Sequence, residues 1–68
     1  MNDTYRELRS DADLLAAALL QVLVYVVDAH DTDEVVDFGG VVEAYTLLQV
    51  KINGEWHGRH DHSFRVDL

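Results

Sequence analysis

The chain has 68 residues and no cysteine, and its 13 acidic and five basic side chains give a formal net charge of −8. This length allows one domain at most, and the absence of cysteine excludes disulfides and thiolate metal sites. A surface this acidic repels nucleic acid and anionic membranes, so we expect no direct binding to either.

The charge is unevenly distributed along the sequence. Residues 1–43 contain ten acids and two bases, whereas residues 44–68 contain three of each. An acidic first half favours a basic binding partner, although the same acids would also serve solvation alone in a salt-adapted protein. We therefore expect a basic protein partner and keep salt adaptation as the alternative.

The first predicted element is one long helix over residues 4–28. Thr4 begins an S/T-x-x-E capping box, and Leu14–Val27 is apolar apart from one glutamine and contains no glycine or proline. Residues 10–13 offer a second, weaker capping box, so a short turn followed by a helix that starts at Asp11 is the alternative. The β-branched run Val22–Val27 favours a strand instead, so the second half of this helix has an alternative. The apolar run is too short to span a membrane and the residues before it are too acidic for a signal peptide, which predicts a cytoplasmic protein.

Three strands are predicted after the helix, over residues 34–38, 41–51 and 55–67. Alternation places the even positions of 42–52 and 56–68 on the inward face. A three-residue loop over 52–54 keeps these faces matched and pairs Lys51 with Glu55, so we predict this loop in the hairpin. A helix over 41–50 is the alternative.

This order of elements predicts an α+β fold, with residues 1–68 as a single domain. One long N-terminal helix packs on a three-stranded antiparallel meander, αβββ. The predicted helix is apolar around most of its circumference, and one small sheet cannot cover it, so we expect a homodimer. The predicted interface consists of Ala16, Leu20, Leu23, Val27, Val41, Tyr45 and Leu47.

Histidines in the last predicted strand give the best candidate for a metal site. His60 and His62 would point to the same face of that strand, as two zinc ligands can, and His30 is a candidate third ligand. Two histidines without an identified third ligand are insufficient, so we predict no metal. The sequence also lacks a complete nucleophile arrangement or phosphate loop, so we expect neither a cofactor nor enzymatic activity.

These features predict a small protein-interaction protein. It would act as an inhibitor or regulator that binds a basic, nucleic-acid-binding partner by placing carboxylates where phosphates would bind. In size and charge, and in no sequence motif, the chain resembles phage-encoded inhibitors of the anti-CRISPR type. The alternatives are a salt-adapted dimerisation module and a small histidine-based metal-binding protein. The expected acidic contacts are Asp3, Glu7, Asp11, Asp13, Asp31, Asp33, Glu34, Asp37 and Glu43.

Overall fold

The computed structural model describes residues 5–31 and 33–67, which form seven strands and one short helix. The elements are β1 (Tyr5–Glu7), α1 (Asp11–Leu20), β2 (Val24–Asp28), β3 (Val35–Gly40), β4 (Val42–Tyr45), β5 (Gln49–Ile52), β6 (Glu55–Gly58) and β7 (His62–Asp67). The predicted αβββ fold, with a long helix on a three-stranded meander, is therefore wrong. The protein is mostly β.

The helix begins at Asp11, as the alternative start predicts and later than the preferred one, because Ser10 is its N-cap. The Ser10 hydroxyl accepts a hydrogen bond from the Asp13 N–H at 3.1 Å, and the Asp13 carboxylate accepts one from the Ser10 N–H at 3.3 Å. These reciprocal bonds form a capping box at the start of α1. The box predicted at Thr4 involves a residue outside those that the structure describes.

The helix ends at Leu20 because Gln21 adopts a left-handed conformation, with φ 53° and ψ 40°. The Gln21 N–H bonds to the Ala18 carbonyl at 3.3 Å, which satisfies one of the free carbonyl groups of the last turn. The β-branched residues that follow then form β2, as their propensity favours. In the part of the chain that the structure describes, no helix is long and apolar enough to cross a membrane.

The strands form two antiparallel sheets. The larger has the order β1-β7-β2-β3, and the smaller has the order β4-β5-β6. Only Val41 separates β3 from β4, so this stretch of chain leaves one sheet and enters the other. The core includes α1 and residues of both sheets. Its most deeply buried side chains are Leu14, Val24, Val26, Val27, Val50 and Ile52.

The β5–β6 hairpin has a two-residue turn, so the predicted three-residue loop is wrong. Asn53 and Gly54 have φ values of 53° and 79°, as a type I′ turn requires. Ile52 therefore pairs with Glu55, and Lys51 pairs with Trp56 instead of with Glu55.

This register reverses the inward face of β6. Val50 pairs with His57, and both are buried, whereas Trp56 faces outward. The turn between β6 and β7 restores the even positions to the core, where Phe64 is buried. The apparent continuous alternation of the sequence therefore conceals two changes of register.

Candidate protein-binding surface

Glu7, in β1, is held between two arginines. Its Oε2 atom lies 2.8 Å from Nη2 of Arg9, and its Oε1 atom accepts a hydrogen bond from Nη2 of Arg65 at 3.3 Å. The buried Arg65 guanidinium also stacks on Tyr5, with its central carbon 4.1 Å from the ring centroid. The Glu7 carboxylate is therefore neutralised within the chain.

Asp11, at the start of α1, is paired with an arginine from the turn between β6 and β7. Nη1 of Arg59 donates to Asp11 Oδ1 at 2.7 Å and to the Thr46 carbonyl at 2.7 Å, and Nη2 donates to the Arg9 carbonyl at 3.3 Å. One guanidinium thus connects α1, the β4–β5 turn and the segment after β1. Asp11 is exposed, but its charge is already compensated.

Asp13 is engaged by the backbone as well as by Arg6. Its carboxylate accepts hydrogen bonds from the backbone N–H groups of Arg9 at 3.2 Å and Ser10 at 3.3 Å. These two bonds lower the pKa of Asp13, and the charge of Arg6, 3.2 Å away, acts in the same direction. All three described acids predicted in the N-terminal part therefore have partners inside the molecule, and Asp3 lies outside the described residues.

The acids of residues 28–37, hereafter the acidic stretch, differ in having no arginine or lysine partner among the described residues. The sequence there includes five acids and no lysine or arginine. Asp37 lies 3.8 Å from Nε2 of buried His57. The five acids are Asp28, Asp31, Asp33, Glu34 and Asp37.

Backbone hydrogen bonds hold the acidic stretch in its conformation. Asp28 Oδ1 accepts from the N–H groups of His30 at 2.7 Å and Asp31 at 3.2 Å. The bond from His30 is the main cause that lowers the pKa of Asp28, so this carboxylate stays ionised. The Ala29 N–H also donates to the Asp61 carbonyl at 3.0 Å, which brings another exposed acid from the β6–β7 turn beside the stretch.

A large exposed aromatic residue follows the acidic stretch directly. β3 is an edge strand, and its alternation turns Val36 and Phe38 to solvent, leaving Phe38 86% exposed. Phe38 is not among the residues predicted for the partner-binding surface or the oligomer interface. Its neighbour Asp37 turns inward to within 3.8 Å of buried His57, which directs Phe38 outward.

Asp37 and Glu43, both predicted as contacts, hold the β5–β6 turn in place. Asp37 Oδ1 accepts from the Asn53 side-chain amide at 2.8 Å, and Glu43 Oε1 accepts from the Gly54 N–H at 3.2 Å. Asn53 also donates to the Gly39 carbonyl at 3.0 Å. The outward-facing acids of the acidic stretch are therefore Asp31, Asp33 and Glu34.

The three histidines that sequence offers as candidate ligands are not grouped into a set of ligands in the part of the chain that the structure describes. His60 lies in the β6–β7 turn and β7 begins at His62, so the two do not share a strand face as predicted. His30 is exposed, and the described residues contain no group of three potential metal ligands. His62 instead contacts the Gly58 carbonyl through Nδ1 at 2.9 Å, and its ring packs edge-on to buried His57.

The residues predicted for the oligomer interface are separated in the structure. Val27 is fully buried in the central strand β2, so its place in that interface is a wrong prediction. Val41 and Tyr45 are half-buried. The remaining exposed members are Ala16 and Leu20 in α1, Leu23 after it, and Leu47 in the β4–β5 turn.

No protein-family model, curated protein or solved structure matches the chain. Any function is therefore inferred from the charge, exposure and contacts of its own residues. The surface with the strongest features is the acidic stretch together with Phe38.

Proposed function

We propose that the chain binds a basic protein through the acidic stretch and Phe38. The observation that supports this proposal is the separation of the acids into two groups. Glu7, Asp11 and Asp13 are neutralised by arginines, whereas the acidic stretch has no such partner among the described residues. A carboxylate bonded only to backbone N–H groups keeps lone pairs free for a lysine or arginine of another protein.

Phe38 supplies the apolar contact that the carboxylates lack. Charges at the rim of an interface mainly direct association and orientation, whereas buried aromatic side chains contribute most of the affinity. Phe38 is 86% exposed beside Asp37, and no described residue covers it. The partner we propose therefore has an apolar pocket bordered by lysine or arginine.

A nucleic-acid-binding protein fits this description best. Its basic groove attracts closely spaced phosphates, and three exposed carboxylates within four residues, Asp31, Asp33 and Glu34, present a comparable density of negative charge. The proposed activity is inhibition or regulation of such a protein in the cytoplasm, by competition with nucleic acid. Phage-encoded inhibitors with this mode of action are the proposed functional class.

The test uses a labelled peptide of arginine and leucine residues and measures its binding by fluorescence anisotropy. We expect Asp33→Asn/Glu34→Gln to weaken binding about tenfold, because both carboxylates face solvent in the acidic stretch. The matched control, Asp11→Asn/Asp67→Asn, changes the net charge equally at positions outside the stretch. Its binding should stay close to that of the unmodified chain.

A second comparison isolates the aromatic contribution. Phe38→Ser should weaken binding without changing its salt dependence, whereas Leu47→Ser, at a similarly exposed position, should have no effect.

In a competition assay the chain should also release a DNA duplex from the same peptide. Equal weakening by the two double variants, or binding unchanged between about 50 and 300 mM salt, would contradict the proposal. Absence of binding would instead favour the salt-adapted dimerisation module.

A further inference from the structure

Three leucines form an exposed apolar cluster at the C-terminal end of α1. Leu19, Leu20 and Leu23 are 73%, 74% and 70% exposed. In a monomer these side chains remain in water, although burying a leucine stabilises a protein by about 1.5–3 kcal/mol. A contiguous apolar surface of this kind marks an interaction site.

An apolar groove lies beside this cluster. It has a volume of about 160 Å³, and Ala16, Ala17, Leu20, Val22 and Val66 contribute to its lining. The two alanines are small, so the groove leaves space for a branched aliphatic side chain. Leu20 both lines the groove and projects largely into solvent.

In a two-fold interface each copy uses the same patch. That patch must therefore carry both projecting side chains and a groove that receives them. We propose that this end of the molecule binds a second copy of the chain. Leu20 and Leu23 of each copy enter the groove over Ala16 and Ala17 of the other copy. This inference does not depend on the proposed function.

The charges at the groove favour a second copy over other occupants. Its lining includes one base and one acid, Arg6 and Asp13, which cancel and form an ion pair of 3.2 Å. In a two-fold dimer, Arg6 of one copy can approach Asp13 of the other, so the rim is complementary to itself. A strongly basic partner would gain nothing from this neutral surface.

The acidic stretch lies at the opposite end of β2. Leu23 immediately precedes β2 and Asp28 ends it, a separation of roughly 17 Å at 3.3–3.4 Å per residue. Two chains of net charge −8 can therefore associate through these grooves while their acidic stretches stay far apart. The dimer would present two acidic stretches for partner binding.

The experiment measures the mass of the full chain by sedimentation and light scattering over a range of concentrations. We expect twice the 7.7 kDa of one chain. Leu20→Glu/Leu23→Glu should weaken self-association at least about a hundredfold, because two leucines per copy lose their burial. Both side chains are exposed in the monomer, so circular dichroism should show an unchanged fold.

The β4–β5 turn provides a matched control. Leu47→Glu/Leu48→Glu adds the same charge at positions that are 79% and 73% exposed, and this variant should remain dimeric. Ala16→Trp, which fills the groove without adding charge, should dissociate the dimer and covers the case in which the first variant fails to fold.

Three results would overturn the proposal. The first is a monomeric unmodified chain at the highest concentration, and the second is equal dissociation by the two glutamate variants. The third is a monomer that binds neutral phosphatidylcholine vesicles through Leu20 and Leu23, since that result would assign the cluster to lipid.

Discussion

The acids of β1 and α1 and those of the acidic stretch have the same chemistry but different neighbours. Arg59 and Arg65 return from the second half of the chain to pair with Asp11 and Glu7. No acid of the acidic stretch forms an ion pair with arginine or lysine among the described residues. The fold thus uses Glu7, Asp11 and Asp13 for its own stability and leaves Asp31, Asp33 and Glu34 available for binding.

Among the variants that distinguish the two groups of acids, Arg59→Ala should cause the largest change in the free energy of unfolding. This change removes the bonds to Asp11 and to the carbonyls of Thr46 and Arg9, so it disconnects α1 from the β4–β5 turn. We expect a loss of about 2–3 kcal/mol in the free energy of unfolding, measured by urea denaturation. Lys51→Ala is the control, and an equally small loss for both variants would show that Arg59 does not have this role.

Acid pH should reduce the stability that one carboxylate of each group, Asp13 or Asp28, contributes to the fold. Backbone N–H groups lower the pKa of Asp13 and Asp28 in the folded protein. A carboxylate with a lowered folded-state pKa contributes stability above its unfolded-state pKa, and this contribution disappears as pH falls through the folded-state value. The stability advantage of the unmodified chain over Asp13→Asn, or over Asp28→Asn, should therefore shrink below about pH 4.

Urea denaturation of the three proteins at a series of pH values measures this change. An advantage that stays constant from about pH 6 to pH 3 would mean that neither carboxylate is stabilised in its ionised form by the fold.

The smallest effect should come from the acidic stretch itself. Asp33→Asn/Glu34→Gln removes two exposed charges that have no side-chain partner among the described residues, so stability should change by no more than about 0.5 kcal/mol. Relief of repulsion between neighbouring carboxylates should make the change slightly favourable. A clear loss of thermal stability in this variant would show that these acids, too, support the fold.

The acidic stretch was predictable because its charge density is local in sequence. Five acids without an intervening base remain an acidic surface in most folds, and Asp31, Asp33 and Glu34 were selected correctly as exposed acids. The neutralisation of Asp11 was not predictable, because its partner Arg59 lies 48 residues away. Pairing over such a distance depends on the tertiary fold.

The error at the C-terminal end of the helix has a local cause. Gln21 adopts a left-handed conformation that glycine usually occupies, so no glycine marked the helix end. Burial of Val24 and Val26 in the central strand β2 stabilises the alternative that their β-branched side chains favour. Once residues 24–28 form a strand, a single helix over residues 4–28 is impossible.

The β5–β6 hairpin was also predicted only in part. Alternation predicts a three-residue loop over 52–54, whereas the structure has the two-residue turn of Asn53 and Gly54. The register was mispredicted because the continuous alternation of even positions assumed that one strand extends over 55–67. The turn at residues 59–61 interrupts that strand, so His57 faces inward while Trp56 faces outward.

The most direct measurement is an NMR titration of the isotope-labelled chain with the arginine- and leucine-containing peptide. If the two groups of acids differ as we propose, shift changes should concentrate in residues 28–38, with Phe38 among the most affected. Amides around Glu7, Asp11 and Asp13 should change little. Shift changes centred on β1 and α1 would contradict the account, since the peptide would then bind the acids that the arginines neutralise.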